Sequence, residues 1–208
     1  MAARDTFTDP RSGSRVAFER TAADTAGRLL VTRSLLTAAF PSPPLHVHPR
    51  QLERLAVLEG RLLVVAGGRG HVLGAGEQIE VAAGTPHTFA VAGREPVDVR
   101  IDFEPAGEMA GFLEAIARLA EAGRVGRRGR PRLLDLAPVA LAHRDDVRLA
   151  RVPAALQDVL LTALARTRWL RWTGEPPRPR LAAGLAGVRA LAGPRWGPRA
   201  RAVERASA

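Results

Sequence analysis

In the stretch HVHPRQLERLAVLEG, residues 46–60, His46 and His48 are separated by one residue and Glu53 follows five positions after His48. Alternate side chains of a strand leave the same face, so two imidazoles at this spacing project together, about 6 to 7 Å apart along the strand. So placed, they can share one metal ion. Glu53 is an odd number of residues beyond His48, and an unbroken strand would send it to the opposite face. Pro49 offers the remedy, because proline cannot continue an interior ladder and favours a turn or bulge that resets the alternation. Glu53, Leu55 and Val57 then face inward. A third histidine, His87, opens the run HTFAV, where it shares its face with Phe89 and Val91. An HxH alone is more often a surface or capping feature than a metal site, so the elements around these residues carry the decision.

From Val16 to Phe103 the chain is a series of short runs rich in Val, Leu and Ile, separated by Gly and Pro every eight to twelve residues. This is the pattern of an all-β sandwich or barrel. The expected strands are 28–36, 45–48, 53–58, 61–66, 71–73, 78–81, 87–91 and 97–103. Arg61–Ala66 reads RLLVVA, apolar on both faces, which calls for a cover on its outer side. Later helices or a second subunit of a homodimer can supply one. After Pro105 the period becomes helical: Met109, Phe112, Ile116 and Leu119 recur at three and four, and Gly123 follows as a C-terminal cap. A second helix is expected near Asp135, with Pro138 in its first turn, and a third from Ala154 to Trp169. The division is a β domain over 15–105, a helical extension packed on it over 106–172, and a basic tail over 173–208. The tail's Arg, Pro, Gly and Ala are too poor in large apolar residues for a core, so disorder is expected there.

His46, His48, Glu53 and Gly60 together resemble the first motif of the cupin superfamily, in which HxH is followed by four residues, Glu, six residues and Gly. Gly76, Ala82, Gly84 and His87 resemble the second, which has Gly, a Pro-x-Gly turn and then His. The resemblance covers roughly residues 28–104. Three positions depart from the pattern: Phe40 and Ala82 stand where Gly and Pro are usual, and Val91 where Asn is usual. None of the three is a ligand position. The resemblance implies a mainly β double-stranded β-helix, the jelly-roll cupin barrel, followed by the α-helical extension. It also implies a metal held by His46, His48, Glu53 and His87.

Composition narrows the chemistry. The chain has no Cys, Lys or Tyr, which removes thiolate attack, Schiff-base chemistry and a tyrosine acid; it also lacks a GxSxG elbow. The net charge of +10 sits wholly in the second half: residues 1–106 carry 12 Arg against 12 acids, and 107–208 carry 19 against 9. A basic balance favours polyanions but identifies none, and an all-Arg usage is what a GC-rich genome produces, so nucleic acid is not the expected partner. The polar N-terminus has no apolar signal region, no window is apolar enough to span a membrane, and a cytoplasmic location is expected. Gly68-x-Gly70 lacks the third glycine of a dinucleotide fingerprint and reads as a hairpin turn. His71 and His143 read as surface histidines. Trp169 and Trp172, set among arginines, suit packing on the barrel better than an interfacial membrane helix.

Three imidazoles and a carboxylate suit one divalent Fe, Mn, Ni or Co ion with up to two open positions, and suit Zn less well. Such a centre can bind a substrate oxygen and dioxygen side by side, or polarise a carbonyl or enediol. Glu53 is the candidate catalytic residue, a ligand that becomes a general base on detaching. The inner face of Leu55, Val57, Phe89 and Val91 favours a small, partly apolar ligand or substrate. A dioxygenase-type oxidoreductase is the first expectation. The alternatives are a non-catalytic small-molecule-binding cupin, a ligand-sensing regulator, which would need a DNA-reading module that the helices after 107 do not display, and a cupin isomerase.

Overall fold

A computed structural model describes residues 6–171 and 204–206. The elements run β1 (Thr6–Thr8), β2 (Arg15–Arg20), α1 (Ala22–Thr25), β3 (Leu30–Leu36), β4 (His46–Val47), β5 (Leu52–Glu59), β6 (Arg61–Ala66), β7 (Arg69–Gly74), β8 (Gln78–Val81), β9 (His87–Val91) and β10 (Val97–Glu104). The helical part follows as α2 (Met109–Glu121), α3 (Leu133–Ala142), β11 (Arg148–Leu149) and α4 (Ala154–Arg171), with β12 (Glu204–Ala206) last. All eight expected strands are present, with their ends moved by two residues or fewer. β1, β2, β11 and β12 come in addition.

The strands form two sheets, one ordered β1-β2-β3-β10-β5-β8-β12 and the other β11-β4-β9-β6-β7. Neither closes on itself, so the double-sheet jelly roll is a β-sandwich. The strict alternation of β5, with Glu53, Leu55 and Val57 buried and Arg54, Ala56 and Leu58 only half-buried, turns one face of the larger sheet inward. Leu62, Val64 and Ala66 do the same for the smaller sheet. These side chains, with Ile79, Val99 and Ile101, build one contiguous core between the sheets.

The sharpest corner is Gly60, which joins β5 in one sheet to β6 in the other. Its φ is +82°, and a Cβ there would lie 2.5 Å from the Pro96 carbonyl oxygen. Only glycine fits both the dihedral and the approach. Thus the glycine of the first motif is where the chain changes layers.

The helices supply the expected cover in part: Met109 of α2 joins the core, and Phe112 and Leu113 pack against it, whereas the α4 stripe does not. α3 lies against α4, and α2 runs beside β1. The outward residues of β6, Leu63 and Val65, stay half-buried. On α4, Leu156, Val159 and Leu160 are 48, 66 and 50% exposed, so the stripe expected to bury the sheet faces solvent. Its inward contact is polar, through Gln157. α3 begins at Leu133, two residues before the expected start, because the Arg132 carbonyl accepts from both Asp135 and Leu136. Pro138 therefore lies inside the helix, beyond its first turn. His71 and His143, expected at the surface, are both half-buried, and the His143 ring meets Phe112 edge-on at 5.8 Å. The tail expected to be disordered over 173–208 lies outside the described residues except at Glu204–Ala206, which pair in parallel with β8. The side chains of Trp169 and Trp172 also lie outside them. Among the described residues no helix is long and apolar enough to cross a membrane.

Candidate metal centre

His46 and His87 face each other across the β4–β9 ladder, their ring centroids 4.2 Å apart. His48 follows β4, just where the chain leaves the smaller sheet. Residues 48–51 carry the chain across the sandwich, and β5 then belongs to the larger sheet. The expected reset of parity at Pro49 is therefore a change of sheet, not a bulge within one strand. Glu53 approaches the histidines from the opposite layer. Gln51, 1% exposed, anchors this crossing: its Nε2 donates to the carbonyls of Pro105 and Ala106 at the exit of β10.

All four side chains are buried, with His46 at 7%, His48 and Glu53 at 2% and His87 at 1% exposure. One donor atom from each lies within 4.8 Å of the others. Every imidazole has its Nδ1 beside a backbone carbonyl: His46 with Pro44 at 2.9 Å, His48 with Asp146 at 2.6 Å and His87 with Thr85 at 2.9 Å. A carbonyl only accepts, so each Nδ1 carries the hydrogen and each neutral ring presents an Nε2 lone pair. This is the arrangement that orients metal-binding histidines.

His48 Nε2, His87 Nε2 and Glu53 Oε2 are buried without a hydrogen-bond partner, a costly state for polar atoms unless a cation satisfies them. Glu53 Oε2 lies 2.5 Å from His87 Nε2, which it pairs with when that ring is protonated, and 3.7 Å from His48 Nε2. Around an ion with bonds of about 2.1 Å, neighbouring ligands sit about 3.0 Å apart and opposite ones about 4.2 Å. The cluster matches that scale, and Glu53 and His87 need to part by only about half an ångström. The donor set fits a divalent transition metal.

The electrostatics agree. Burial works against the Glu53 charge, but the adjoining His87 and the other two imidazoles outweigh it and hold the carboxyl at about 2. Burial, assisted by the charge of His87, pushes His46 down to about 4, and burial also lowers His48. His87 is the exception: burial disfavours its charge, yet the Glu53 carboxylate prevails and raises it. At neutral pH the site offers one carboxylate and two neutral imidazoles, with the third paired to the carboxylate.

Phe89 follows His87 with the same inward parity and stacks on Phe40, centroids 6.0 Å apart and rings 6° from parallel. Phe103 meets the His48 ring edge-on at 5.3 Å. An open cleft of about 410 Å³ lies elsewhere, on the outer face of the smaller sheet between Pro44, Leu63, Val65, Thr88 and Arg130. None of the four donor residues lines it.

The sequence identified the four side chains, and the fold gathers all of them. It gave no signal for Asp146, whose carbonyl holds His48 from 98 residues away, because a backbone oxygen leaves no mark on residue type.

A two-layer jelly roll with three histidines and a glutamate converging between its sheets defines a class of small β proteins. Residues 37–103 match the cupin domain family model, so this part of the chain, the double-sheet jelly roll, is a cupin domain. Among solved structures it is similar to KdgF from Halomonas sp., at 17% identity over 48% of this chain and 86% of that one, with a TM-score of 0.41. It is also similar to a predicted oxalate decarboxylase from Thermotoga maritima, at 17% identity over 50% and 92%, TM-score 0.44. A third is Streptomyces PAC13 with uridine, at 14% identity over 51% and 80%, TM-score 0.40. No curated protein matches the chain.

Proposed function

We propose that this protein is a metal-dependent cupin in which His46, His48, Glu53 and His87 hold one divalent ion, and that it is a dioxygenase-type oxidoreductase for a small, partly apolar substrate. The observation that carries the metal reading is the convergence of four buried donors, with the Nδ1 of each imidazole committed to a carbonyl. When bound, the ion would supply Lewis-acid polarisation of a substrate oxygen and an electron source for dioxygen. The protein's own part is to position and to exclude water. Phe89 and Val91 lie on the inward side of β9 and pack against the core, which suits an aromatic or aliphatic group better than a sugar phosphate. Glu53, ionised at neutral pH, can accept a proton from a bound enol or phenol if it leaves the ion.

A second reading, a cupin that binds its ligand without turning it over, draws support from the near-complete burial of the donors. Two measurements separate these readings. Full-length protein reconstituted anaerobically with Fe, Mn, Ni or Co should hold about one ion per chain, and His48→Ala should lose most of it; equal, near-zero metal in both proteins removes the metal reading. The loaded protein should then consume oxygen with small enols or phenols. Metal without oxygen uptake favours the binding reading.

A further inference from the structure

His48 and His46 are both held by the segment that follows α3, far outside the stretch that matches the cupin family model. The Asp146 carbonyl accepts from His48 Nδ1 at 2.6 Å. Immediately after it, β11 pairs antiparallel with β4, with Leu149 opposite His46 and Arg148 opposite Val47, and the Ala150 N–H donates to the Leu45 carbonyl at 3.0 Å. β11 is the edge strand of its sheet, so the Leu149 backbone groups need partners other than a strand. Gln157 of α4 supplies both: its Oε1 accepts from Leu149 N at 3.0 Å, and its Nε2 donates to Leu149 O at 2.9 Å and to Val152 O at 2.7 Å. Gln157 is 6% exposed on a helix whose neighbours Leu156, Val159 and Leu160 face solvent. Its amide is thus the buried contact that this face of α4 makes.

The other end of the segment is fixed as tightly. Asp146, 8% exposed, accepts from the Glu108 N–H at 3.1 Å through Oδ1, tying the turn to the start of α2. Gly107 makes room for it: at φ +51°, any Cβ there would collide with Asp146 Oδ1 and Gln51 Nε2.

We infer that residues 146–150 are a positioning element of the metal centre, held by the Asp146 carboxylate and the Gln157 amide, so that the helical extension sets the geometry of His48 and His46. This inference rests on the metal reading proposed above. Neither the Asp146 nor the Gln157 side chain hydrogen-bonds to a ligand residue; both hold the backbone that does. A partner that orients a ligating histidine typically contributes about 10- to 100-fold in metal affinity.

The test uses full-length protein and Co(II), with affinity measured by competition against a chromophoric chelator, the visible cobalt spectrum as a report on coordination, and thermal melting as a report on folding. Asp146→Ala and Gln157→Ala should each weaken Co(II) binding by about tenfold or more and alter the cobalt spectrum, while stoichiometry at saturation stays at one per chain. Asp146→Asn keeps an oxygen to accept from Glu108 and should restore both affinity and spectrum, whereas a loss that tracked stability alone would leave the spectrum of the bound fraction unchanged. Asp145→Ala, an exposed neighbour paired loosely with Arg50 at 3.7 Å, should behave as wild type. In the metal-free protein, long-range proton–nitrogen NMR should report the Nδ1–H form of His48 and a mixture of tautomers in Asp146→Ala; this comparison holds even if a variant binds no metal. Wild-type Co(II) affinity, spectrum and tautomer in folded Asp146→Ala and Gln157→Ala would overturn the inference and leave the metal reading standing. Wild-type protein that binds neither Co(II) nor any of Fe, Mn and Ni overturns the metal reading, and the inference falls with it.

Discussion

The opposed behaviour of Glu53 and His87 sets the pH response of the centre. His87 is raised by the carboxylate beside it, so a proton must leave its Nε2 before that atom can bind an ion, and protons compete with metal below this raised value. Metal affinity should therefore climb with pH and level off once His87 is neutral. Chelator competition over a pH series would show this, and a flat profile through the histidine range would exclude it. Glu53→Gln removes the group that lifts His87 as well as a ligand: affinity should fall sharply, and the remaining pH dependence should move to lower pH. Stability of the metal-free protein follows the carboxylate in the other direction. Glu53 is depressed from 4.5 to about 2, so its contribution is present above pH 4.5 and is lost as pH falls from there toward about 2. Acid unfolding in the absence of metal should steepen in that window for the wild type and not for Glu53→Gln.

At the scale of elements, the two sheets meet at corners a single residue wide. Gly60 turns β5 into β6 with a positive φ and with the Pro96 carbonyl against its face. Gly60→Ala should destabilise the fold by about 1 to 3 kcal/mol, a fall in Tm of roughly 2 to 12 °C for a chain of this size. A melting curve within a degree of wild type would show that the corner relaxes. The strands themselves were legible because their apolar runs are short and cleanly bounded: Arg61–Ala66, Gln78–Val81 and His87–Val91 stand where the sequence put them. β11 was not legible. It has two residues, and it is a strand because Gln157 and β4 hold its backbone on either side.

Across the whole molecule, the helical extension matters less for the apolar area it covers than for what it holds. Leu156 and Val159 read as a core stripe by their spacing, yet they are 48 and 66% exposed. Val159→Ser should thus change stability by no more than about 0.5 kcal/mol, whereas Gln157→Ala, two positions away, frees both backbone groups of Leu149 and should be the more destabilising of the two in a denaturant titration. The reverse order would return the apolar stripe to a structural role. The segment also gives the chain's second half a function that its charge did not suggest.

The sequence by itself determined the all-β half, the shared face of His46 and His48 and the inward parity of Glu53, because each follows from a local rule: the two-residue period of strands and the breaks that Gly and Pro impose; the jelly-roll class and the set of four candidate ligands came with the resemblance to the cupin motifs. Tertiary structure alone decided that Glu53 reaches the histidines from the facing sheet, that the α4 stripe stays in solvent, and that the Asp146 carbonyl holds His48. These depend on which strands share a sheet and on which backbone oxygens happen to face a ring. Residue types do not encode that information position by position, since every residue carries the same carbonyl and only the folded chain decides which one arrives.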